Sequence, residues 1–453
     1  MTVETGRLTD EETGDYLVMH WTSLLAIGGY AIASALVVAI VFQPHLTGLL
    51  LPALALYALL GLRPELRRWP FSWRAVWVLP SIFALYVVLT SLWGKDPRAA
   101  FAAGALFALY LLSTRLAFVG IVHAQQGVIE RLSRYFVAAV GVGALLLAVT
   151  IFSHGALHKA IAAVAPALAP TDRDFVRIGA AGLEFIGLPY FNRNVALLNL
   201  LLWPALLVLA RRVIDLRTAA MPIGLFLLVA ATTFASDHQT SMLALAASTL
   251  VFLLYRVAPR STKILIVAGW IAATVLVRPA VLVAYDNDLH KASWMQESAR
   301  ARLILWAYTA RQMSKAPVFG VGAQTTRAES ESGRRADVLP GHAFPQWTGA
   351  HGHNIYVQTW YELGVVGAAL LLAMGLSILS WLWQVPRPGQ DFAASAFVCV
   401  SVMCAASFGM WQAWFIAACM LGVVMVTLAV QGSGWLLRSR GAIDPVPLPQ
   451  SAT

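Results

Sequence analysis

The sequence has few charged residues and few cysteines. Asp, Glu, Lys and Arg make up 12% of its 453 residues, whereas about a quarter of an ordinary soluble domain is charged. Hydrophobic residues reach 59%, and the mean hydropathy is +0.70. This composition excludes a soluble globular domain and predicts a polytopic membrane protein.

Several familiar motifs are also missing from the sequence. It contains no Walker A, dinucleotide-binding or nucleophile-elbow pattern, so nucleotide-driven transport is not predicted. Its three cysteines, Cys399, Cys404 and Cys419, fall in apolar segments without zinc-site spacing, and we expect them to be packing residues. The polar and acidic first twenty residues lack a basic n-region, so we expect the first apolar segment to be retained as a membrane helix.

Long apolar runs dominate the rest of the chain. Twelve of them are about long enough to cross a bilayer. They cover approximately residues 21–42, 46–62, 73–93, 99–118, 135–154, 194–210, 218–236, 239–257, 264–285, 362–384, 392–412 and 414–431. The short loops alternate between Arg-rich and nearly cation-free, which places both termini in the cytoplasm by the positive-inside rule. We therefore expect an all-α polytopic membrane protein, a single integral domain over 1–453, with about 12 transmembrane helices.

Two long loops on the predicted outer side, 155–193 and 286–361, are basic although topology does not require it. Their cations suit an acidic ligand at the outer face, and a merely solvated surface is the alternative. In the first loop, 158–170 is predicted to be a short interfacial or re-entrant helix. In the second, which lies between predicted helices 9 and 10, residues 298–316 have the pattern of an interfacial amphipathic helix ended by Pro317. The polar and irregular residues 328–350 are typical of a mobile flap over a site.

One stretch sets histidines directly before an apolar run: "HGHNIYVQTWYELGVVG", residues 351–367. An imidazole such as His353 exchanges a proton near neutral pH, although it can also serve only as a local cap. If a helix begins there, Gly364 and Gly367 share a face and let a neighbouring helix approach closely. A metal site would use His351, His353, His342 and Glu362. We do not predict one, because the H-x-H pair has no HExxH motif or carboxylate cluster with it.

Three stretches resemble the O-antigen ligase family, whose superfamily also holds O-antigen polymerases and bacterial protein O-glycosylation transferases. His353 and Asn354, nine residues, and then "GVVG" fit the family's H-[NSQ]-x9-G-x-x-G pattern. "NRNVAL", residues 192–197, is similar to the superfamily's Asn-x-Asn entry to a membrane helix with an R-x3-L arrangement. "RLILWAYTARQMSKAPVFGVG", residues 302–322, resembles its Arg–Trp helix followed by a proline and a Gly-x-Gly turn.

The chain departs from the family at one place. Many members carry a Ser-Arg pair at the outer end of the span after the R-x3-L helix. Here Asp237, His238 and Gln239 stand at that position. We therefore do not expect the phosphate contact of that arginine here, unless His238 or an arginine of the first outer loop replaces it.

The resemblance implies a GT-C-like membrane glycosyltransferase of the bacterial inner membrane with its active site facing the periplasm. Such ligases move a glycan from undecaprenyl diphosphate to a sugar hydroxyl of lipid A–core, with inversion and without nucleotide, cofactor or metal. Arg193 and Arg302 match the family arginines that hold the diphosphate, with Arg177 and Arg300 as helpers. His353 is the general base by the same resemblance, or it positions the donor phosphate instead.

Asn354, His238 and Gln239 are expected to bind the acceptor or orient the base. We expect membrane lipids and the two lipid-linked substrates as partners, and no nucleic acid. An O-antigen polymerase with the same donor is one alternative. A lipid-linked sugar transporter is another, which would predict charged residues within the spans and internal repeats.

Overall fold

The computed structural model describes residues 10–61, 75–165, 170, 175–179, 182–213, 215–331 and 351–432. This part of the chain forms sixteen α-helices and one two-stranded antiparallel hairpin. The helices are α1 (Asp10–Val41), α2 (Thr47–Gly61), α3 (Ala75–Leu89), α4 (Pro97–His123), α5 (Gln126–Phe152), α6 (Ala156–Val164), α7 (Asn192–Ala210), α8 (Leu216–Ala235), α9 (Gln239–Val257), α10 (Pro259–Val275), α11 (Val277–Asp286), α12 (Glu297–Gln312), α13 (Thr325–Glu331), α14 (Ile355–Leu382), α15 (Arg387–Ala406) and α16 (Ala413–Gln431). The strands are β1 (Val176–Gly179) and β2 (Gly182–Ile186).

The predicted all-α polytopic membrane fold is confirmed. Within the described ranges, nine helices are long and apolar enough to cross a membrane, and the bent pair of α10 and α11 makes a tenth. Two shorter apolar segments, Leu25–Val41 and Pro44–Leu60, lie at the first two predicted spans. The count of twelve stays a prediction.

The ninth predicted span, 264–285, is not one straight helix. α10 and α11 meet at an angle of 70°. Pro279 lies near the start of α11, where it has no N–H to donate and its ring would clash with the carbonyl of Val275 in a continuous helix. The chain therefore changes direction between the two helices.

Helix α7 is the centre of the bundle. Every side chain from Asn194 to Leu209 is buried, and α7 packs against α5, α8, α15 and α16. A helix that is apolar on all sides is expected to be surrounded in this way. Its two buried asparagines have partners: Asn194 Nδ2 donates to Ile40 O over 3.0 Å, and Asn199 Nδ2 donates to Thr233 Oγ1 over 2.9 Å. Arg193 stands at the start of this fixed helix.

The first long loop is partly helical and partly extended. The expected helix within 158–170 is present as α6, which begins two residues earlier and ends at Val164. The hairpin of β1 and β2 was not predicted. Its strands have four and five residues, which is too short for a two-residue periodicity to stand out.

The second long loop contains the predicted amphipathic helix, α12, which buries Leu303, Ile304 and Ala307 against the bundle. The predicted flap falls largely on residues 332–350, which lie outside the described residues, as does His342. The next membrane helix, α14, begins at Ile355, seven residues before the predicted start at 362.

Helix α14 is broken at Gly364, whose φ of 63° and ψ of −163° are not helical. The expected close approach at this glycine occurs, but the neighbour is a turn, Pro317–Gly322, rather than a helix. Val365 N donates to Pro317 O over 2.9 Å, and a Cβ on Gly364 would lie 2.3 Å from Val318 O.

The second glycine of the pattern plays a different part. A Cβ on Gly367 would meet the side chain of Leu363 at 2.1 Å, within the same broken helix. At Gly364 the close neighbour is thus a turn, and the expectation that Gly364 and Gly367 together receive a neighbouring helix stays a prediction.

Candidate active site

Three predicted site residues meet at the end of α15. Arg302 of α12 donates from Nη1 to Ala406 O over 2.8 Å. His238 Nε2 lies 3.0 Å from Ser407 Oγ, and His353 Nδ1 lies 2.8 Å from Ser407 O. Three side chains that are far apart in the sequence thus form hydrogen bonds to the consecutive residues Ala406 and Ser407.

The contact with Ser407 decides how His353 carries its proton. A carbonyl oxygen only accepts, so Nδ1 carries the hydrogen and Nε2 of the neutral ring keeps its lone pair. Burial, together with the nearby His351 and Arg302, lowers the pKa of His353 to about 4, although the hydrogen bond to Ser407 acts in the opposite direction. The imidazole is therefore neutral at pH 7 and able to accept a hydrogen bond at Nε2.

The backbone before α14 is held on both sides. Trp306 Nε1 of α12 donates to Gly352 O over 2.8 Å, and Gly352 N donates to Gln358 Oε1 over 3.4 Å. His353 itself has a φ of 49°, in the left-handed region. The ring of His351 lies 4.1 Å from that of His353, measured between centroids. These contacts fix where the imidazole of His353 can lie.

Two arginines make this end of the bundle electropositive. Arg302 is largely buried, which lowers the pKa of its guanidinium. Arg193 is exposed, its Nη1 lies 3.5 Å from His45 Nε2, and its charge helps burial to lower the pKa of His351. Within the described part of the chain, neither arginine belongs to an ion pair. Both cations are available to an anionic ligand.

The two helper arginines, Arg300 and Arg177, lie apart from the cluster that Arg302, His238 and His353 form at Ala406 and Ser407. The Arg300 guanidinium donates to the carbonyls of Met295 and Ser293, at 2.8 and 3.2 Å. Arg177 is exposed on β1, with its guanidinium 5.9 Å from the ring centre of Phe185. No contact among the described residues brings either of them to Ser407.

The residues expected to bind the acceptor are mostly engaged in structural contacts. Asn354 is the N-cap of α14, and its Oδ1 accepts a hydrogen bond from Val357 N over 3.0 Å. Such a cap stabilises a helix by about 1 kcal/mol. Gln239, the first residue of α9, is exposed beside His238.

His238 is buried and has a partner at each ring nitrogen. Nδ1 lies 2.7 Å from Ser241 Oγ, and Nε2 bonds Ser407 as described above. Burial lowers the pKa of His238 to about 4, and the charge of Arg302 contributes. A neutral imidazole with both nitrogens occupied holds Ser407 in place. It does not offer an N–H to a phosphate in this arrangement.

Ser407, Gln358, Glu362 and Trp411 belong to the site but were not predicted to do so. Glu362 is fully buried and accepts four hydrogen bonds from N–H groups. In the sequence, Glu362 was a candidate only for a metal ligand. Within the described part of the chain, no three His, Cys, Asp or Glu side chains converge as metal ligands. A usable signal was present, because Gln358 and Glu362 are polar residues one helical turn apart in an apolar span.

An apolar cavity of about 270 Å³ lies beside the cluster, between α3, α4, α14, α15 and α16. Ile355 and Met410 line it near the cluster, and Trp77, Met374 and Phe397 line it further into the bundle. Polar chemistry and a hydrocarbon environment therefore adjoin at this end of α14.

Comparison with known proteins finds related sequences. Residues 224–372 match the family model described as O-antigen ligase. This segment runs from α8 into α14 and contains His238, Arg302 and His353. The curated relatives include a protein of Rickettsia bellii that is 27% identical over 255 residues, covering 53% of this chain and 58% of the relative. A protein of Rickettsia felis is 26% identical over 256 residues, covering 54% and 60%. Both are named "Putative polysaccharide ligase", and the chain spans about three fifths of the length of these relatives.

Proposed function

From the match of residues 224–372 to the O-antigen ligase family model and from the similar proteins named as polysaccharide ligases, we propose that this chain transfers a glycan from undecaprenyl diphosphate to a sugar hydroxyl of lipid A–core. The reaction takes place at the periplasmic face of the bacterial inner membrane, and both chain termini are cytoplasmic. The observation that carries this proposal is the meeting of Arg302, His238 and His353 at Ala406 and Ser407. It sets a cation beside a neutral imidazole whose Nε2 holds a lone pair.

The proposed reaction is a single displacement at the anomeric carbon of the donor sugar. The acceptor oxygen forms a bond to that carbon, and the bond from carbon to the diphosphate oxygen breaks with its electron pair. The hydroxyl proton passes to Nε2 of His353, and undecaprenyl diphosphate leaves. Attack opposite the leaving group inverts the configuration. A base in this position accelerates transfer by about 10²–10⁴-fold.

Arg302 and Arg193 hold the diphosphate in this proposal. A guanidinium stays charged and bonds two oxygens at once, and it stabilises the charge that grows on the leaving group. The bound anion also opposes the effect of Arg302 on His353, so it raises the pKa of the imidazole and makes it a stronger base. Arg177 and Arg300 act at most as outer contacts to the donor, and the chemistry needs neither a metal nor a cofactor.

The apolar cavity supports a lipid-linked substrate. Its lining is almost entirely hydrocarbon and begins at Ile355, two residues after His353. A polyprenyl chain gains free energy when it leaves a polar environment for such a surface.

The proposal is tested by a lipopolysaccharide gel of cells that lack this protein, complemented with wild type or with His353→Ala. A bare core in the deletion strain supports a ligase, and a core carrying one repeat supports a polymerase instead. A full ladder without the protein would overturn both assignments. A membrane-inserted His353→Ala protein is expected to give only the deletion pattern.

A further inference from the structure

The carboxylate of Glu362 is the centre of a buried hydrogen-bond network in α14. Oε2 accepts from Gln324 N over 2.8 Å and from the indole N–H of Trp411. Oε1 accepts from Thr326 N and from Gln358 Nε2, both over 3.1 Å. The side chain is 0% exposed.

All four partners of Glu362 are donors, which fits the ionised carboxylate. A carboxylic acid would direct its proton at one of these N–H groups and lose an accepted hydrogen bond. Within the described ranges, Glu362 forms no ion pair with Lys or Arg. A buried charge of this kind is costly unless hydrogen bonds satisfy it. Four donors from four separate residues provide that satisfaction.

The charge on Glu362 also fixes which way the Gln358 amide points. Because a carboxylate only accepts, Gln358 must turn its Nε2 toward Glu362, and its Oε1 then faces the other way. There Oε1 accepts from Gly352 N over 3.4 Å and from Met410 N over 3.0 Å. Gly352 directly precedes His353, and Met410 belongs to the Ser407–Met410 segment that holds the imidazole.

We propose that Glu362 and Gln358 are positioning residues, which set His353 against Ser407 through the backbone at Gly352 and Met410. Through Gln324 and Thr326 the same carboxylate ties the start of α13 to this network. The inference rests on the proposed function for its kinetic consequence, but its structural consequence does not depend on it. Neither residue touches the substrates in this scheme.

The test compares Glu362→Gln and Gln358→Met with wild type in purified, lipid-embedded protein. Glu362→Gln keeps the shape but places an amide NH₂ where two N–H donors point. Gln358→Met keeps the volume and removes the bonds to Gly352 and Met410. A misplacement of about 1 Å at a reacting group costs on the order of 10²-fold in rate. We therefore expect kcat per folded molecule to fall on that order in each variant, with KM for the lipid diphosphate donor within about twofold of wild type.

Two controls separate positioning from simple stability. Glu331→Gln makes the same chemical change at the exposed Glu331, which pairs only with Arg327 in the described structure, and is expected to behave as wild type. The double variant Glu362→Gln/Gln358→Met should lose no more kcat than the worse single variant, because both act through one path. Folded variants with wild-type kcat, or with a raised donor KM and an unchanged kcat, would overturn the inference.

A second measurement does not depend on transfer. In nitrogen-15 spectra of histidine-labelled protein, assigned with His353→Gln, wild type should show His353 protonated at Nδ1. Glu362→Gln and Gln358→Met should reduce that tautomer. If both keep the wild-type signal, the inference fails whatever the enzymatic result. If wild type transfers no glycan but the signal changes as expected, the proposed function fails and the positioning role stands. Should Glu362→Gln not fold, Gln358→Met decides alone.

Discussion

The imidazole of His353 and the backbone carbonyl of Ser407 lie 2.8 Å apart, and this contact joins the start of α14 to the end of α15. A backbone acceptor cannot rotate away as a hydroxyl can, so the ring orientation depends on where the two helices end. Arg302 bonds Ala406, the last residue of α15, and His238 bonds Ser407, which follows it. A movement of the end of α15 would therefore disturb the proposed base and the nearest cation together.

Replacing His353 tests its role as base. His353→Ala should lower kcat by about 10²–10⁴-fold, because the acceptor hydroxyl loses the group that takes its proton, while KM for the donor changes little. Initial rates with purified protein, a lipid-linked oligosaccharide and a lipopolysaccharide core measure both. His123→Ala, at the end of α4 and outside the candidate site, is the matched control. A variant that instead raises the donor KM and keeps kcat would make His353 a phosphate-positioning residue.

The acid limb of the pH profile should reflect the lowered pKa of His353. The free protein keeps this imidazole neutral down to about pH 4, because burial and the charge of Arg302 lower its pKa. Plots of kcat/KM against pH should therefore fall only well below the ordinary histidine pKa of 6.5. In the donor complex the diphosphate raises the pKa, so the acid limb of kcat should lie at higher pH than that of kcat/KM. Coincident limbs near pH 6.5 would argue against a buried base.

Arg302 and Arg300 form a natural comparison two residues apart on α12. Arg302→Lys should raise the donor KM about tenfold or more, because Lys cannot bond two phosphate oxygens and Ala406 O with one planar group. Arg300→Lys should leave the donor KM nearly unchanged, since Arg300 bonds the carbonyls of its own loop. Initial rates of the two variants, measured over a range of donor concentrations, give the two donor KM values. Equal effects would restore Arg300 as a donor contact.

The sequence allowed the site to be predicted only where a residue type is itself informative. His353 before an apolar run, Arg193 at the start of α7 and Arg302 in the apolar pattern of α12 stand out, because an ionisable group next to buried apolar residues is costly unless it has a partner or a function. Ser407 has no such signal. It ends an apolar helix like many serines, and only the tertiary structure brings it to His353 and His238.

Backbone geometry accounts for most of the other differences. The pattern around Gly364 indicated close packing, yet a helical wheel cannot show that φ is positive there and that a turn fills the break. Glu362 would have looked unfavourable at its depth until its four donors were known. The break in the ninth span could have been predicted from Pro279. The short strands β1 and β2 carry no comparable pattern from which a hairpin could have been predicted.

Gly364 is expected to tolerate no side chain. Gly364→Ala would force a Cβ into the left-handed region and within 2.3 Å of Val318 O, so the turn at Pro317–Gly322 has to move. Strain of this kind costs about 1–3 kcal/mol before the clash is counted. The control is Gly269→Ala in α10, where nothing lies within 4 Å of the new methyl group. Thermal unfolding in detergent should show a lowered midpoint for the first variant, and an unchanged or slightly raised midpoint for the second.

His158 should make the folded protein sensitive to acid. Its ring packs against Phe42, Tyr190 and Phe191, and within the described structure neither ring nitrogen has a hydrogen-bond partner. Burial lowers the pKa of His158 to about 4. The unfolded chain protonates this group near pH 6.5, so between these two values the unfolded state binds more protons. Stability is therefore complete above pH 6.5 and is lost progressively as the pH falls toward 4.

His158→Phe removes this loss and fills the same aromatic pocket. At pH 7.5 the variant should be about 1–3 kcal/mol more stable, because two buried polar atoms without partners are replaced. Its unfolding midpoint should also drop less than that of wild type between pH 7.5 and pH 5. His123→Phe, at the end of α4, is the control and should keep the wild-type pH dependence. If His158→Phe loses stability in acid as steeply as wild type does, the sensitivity resides in His238 and His353. Both are buried with the pKa lowered to about 4, so acid favours the unfolded state through them by the same linkage.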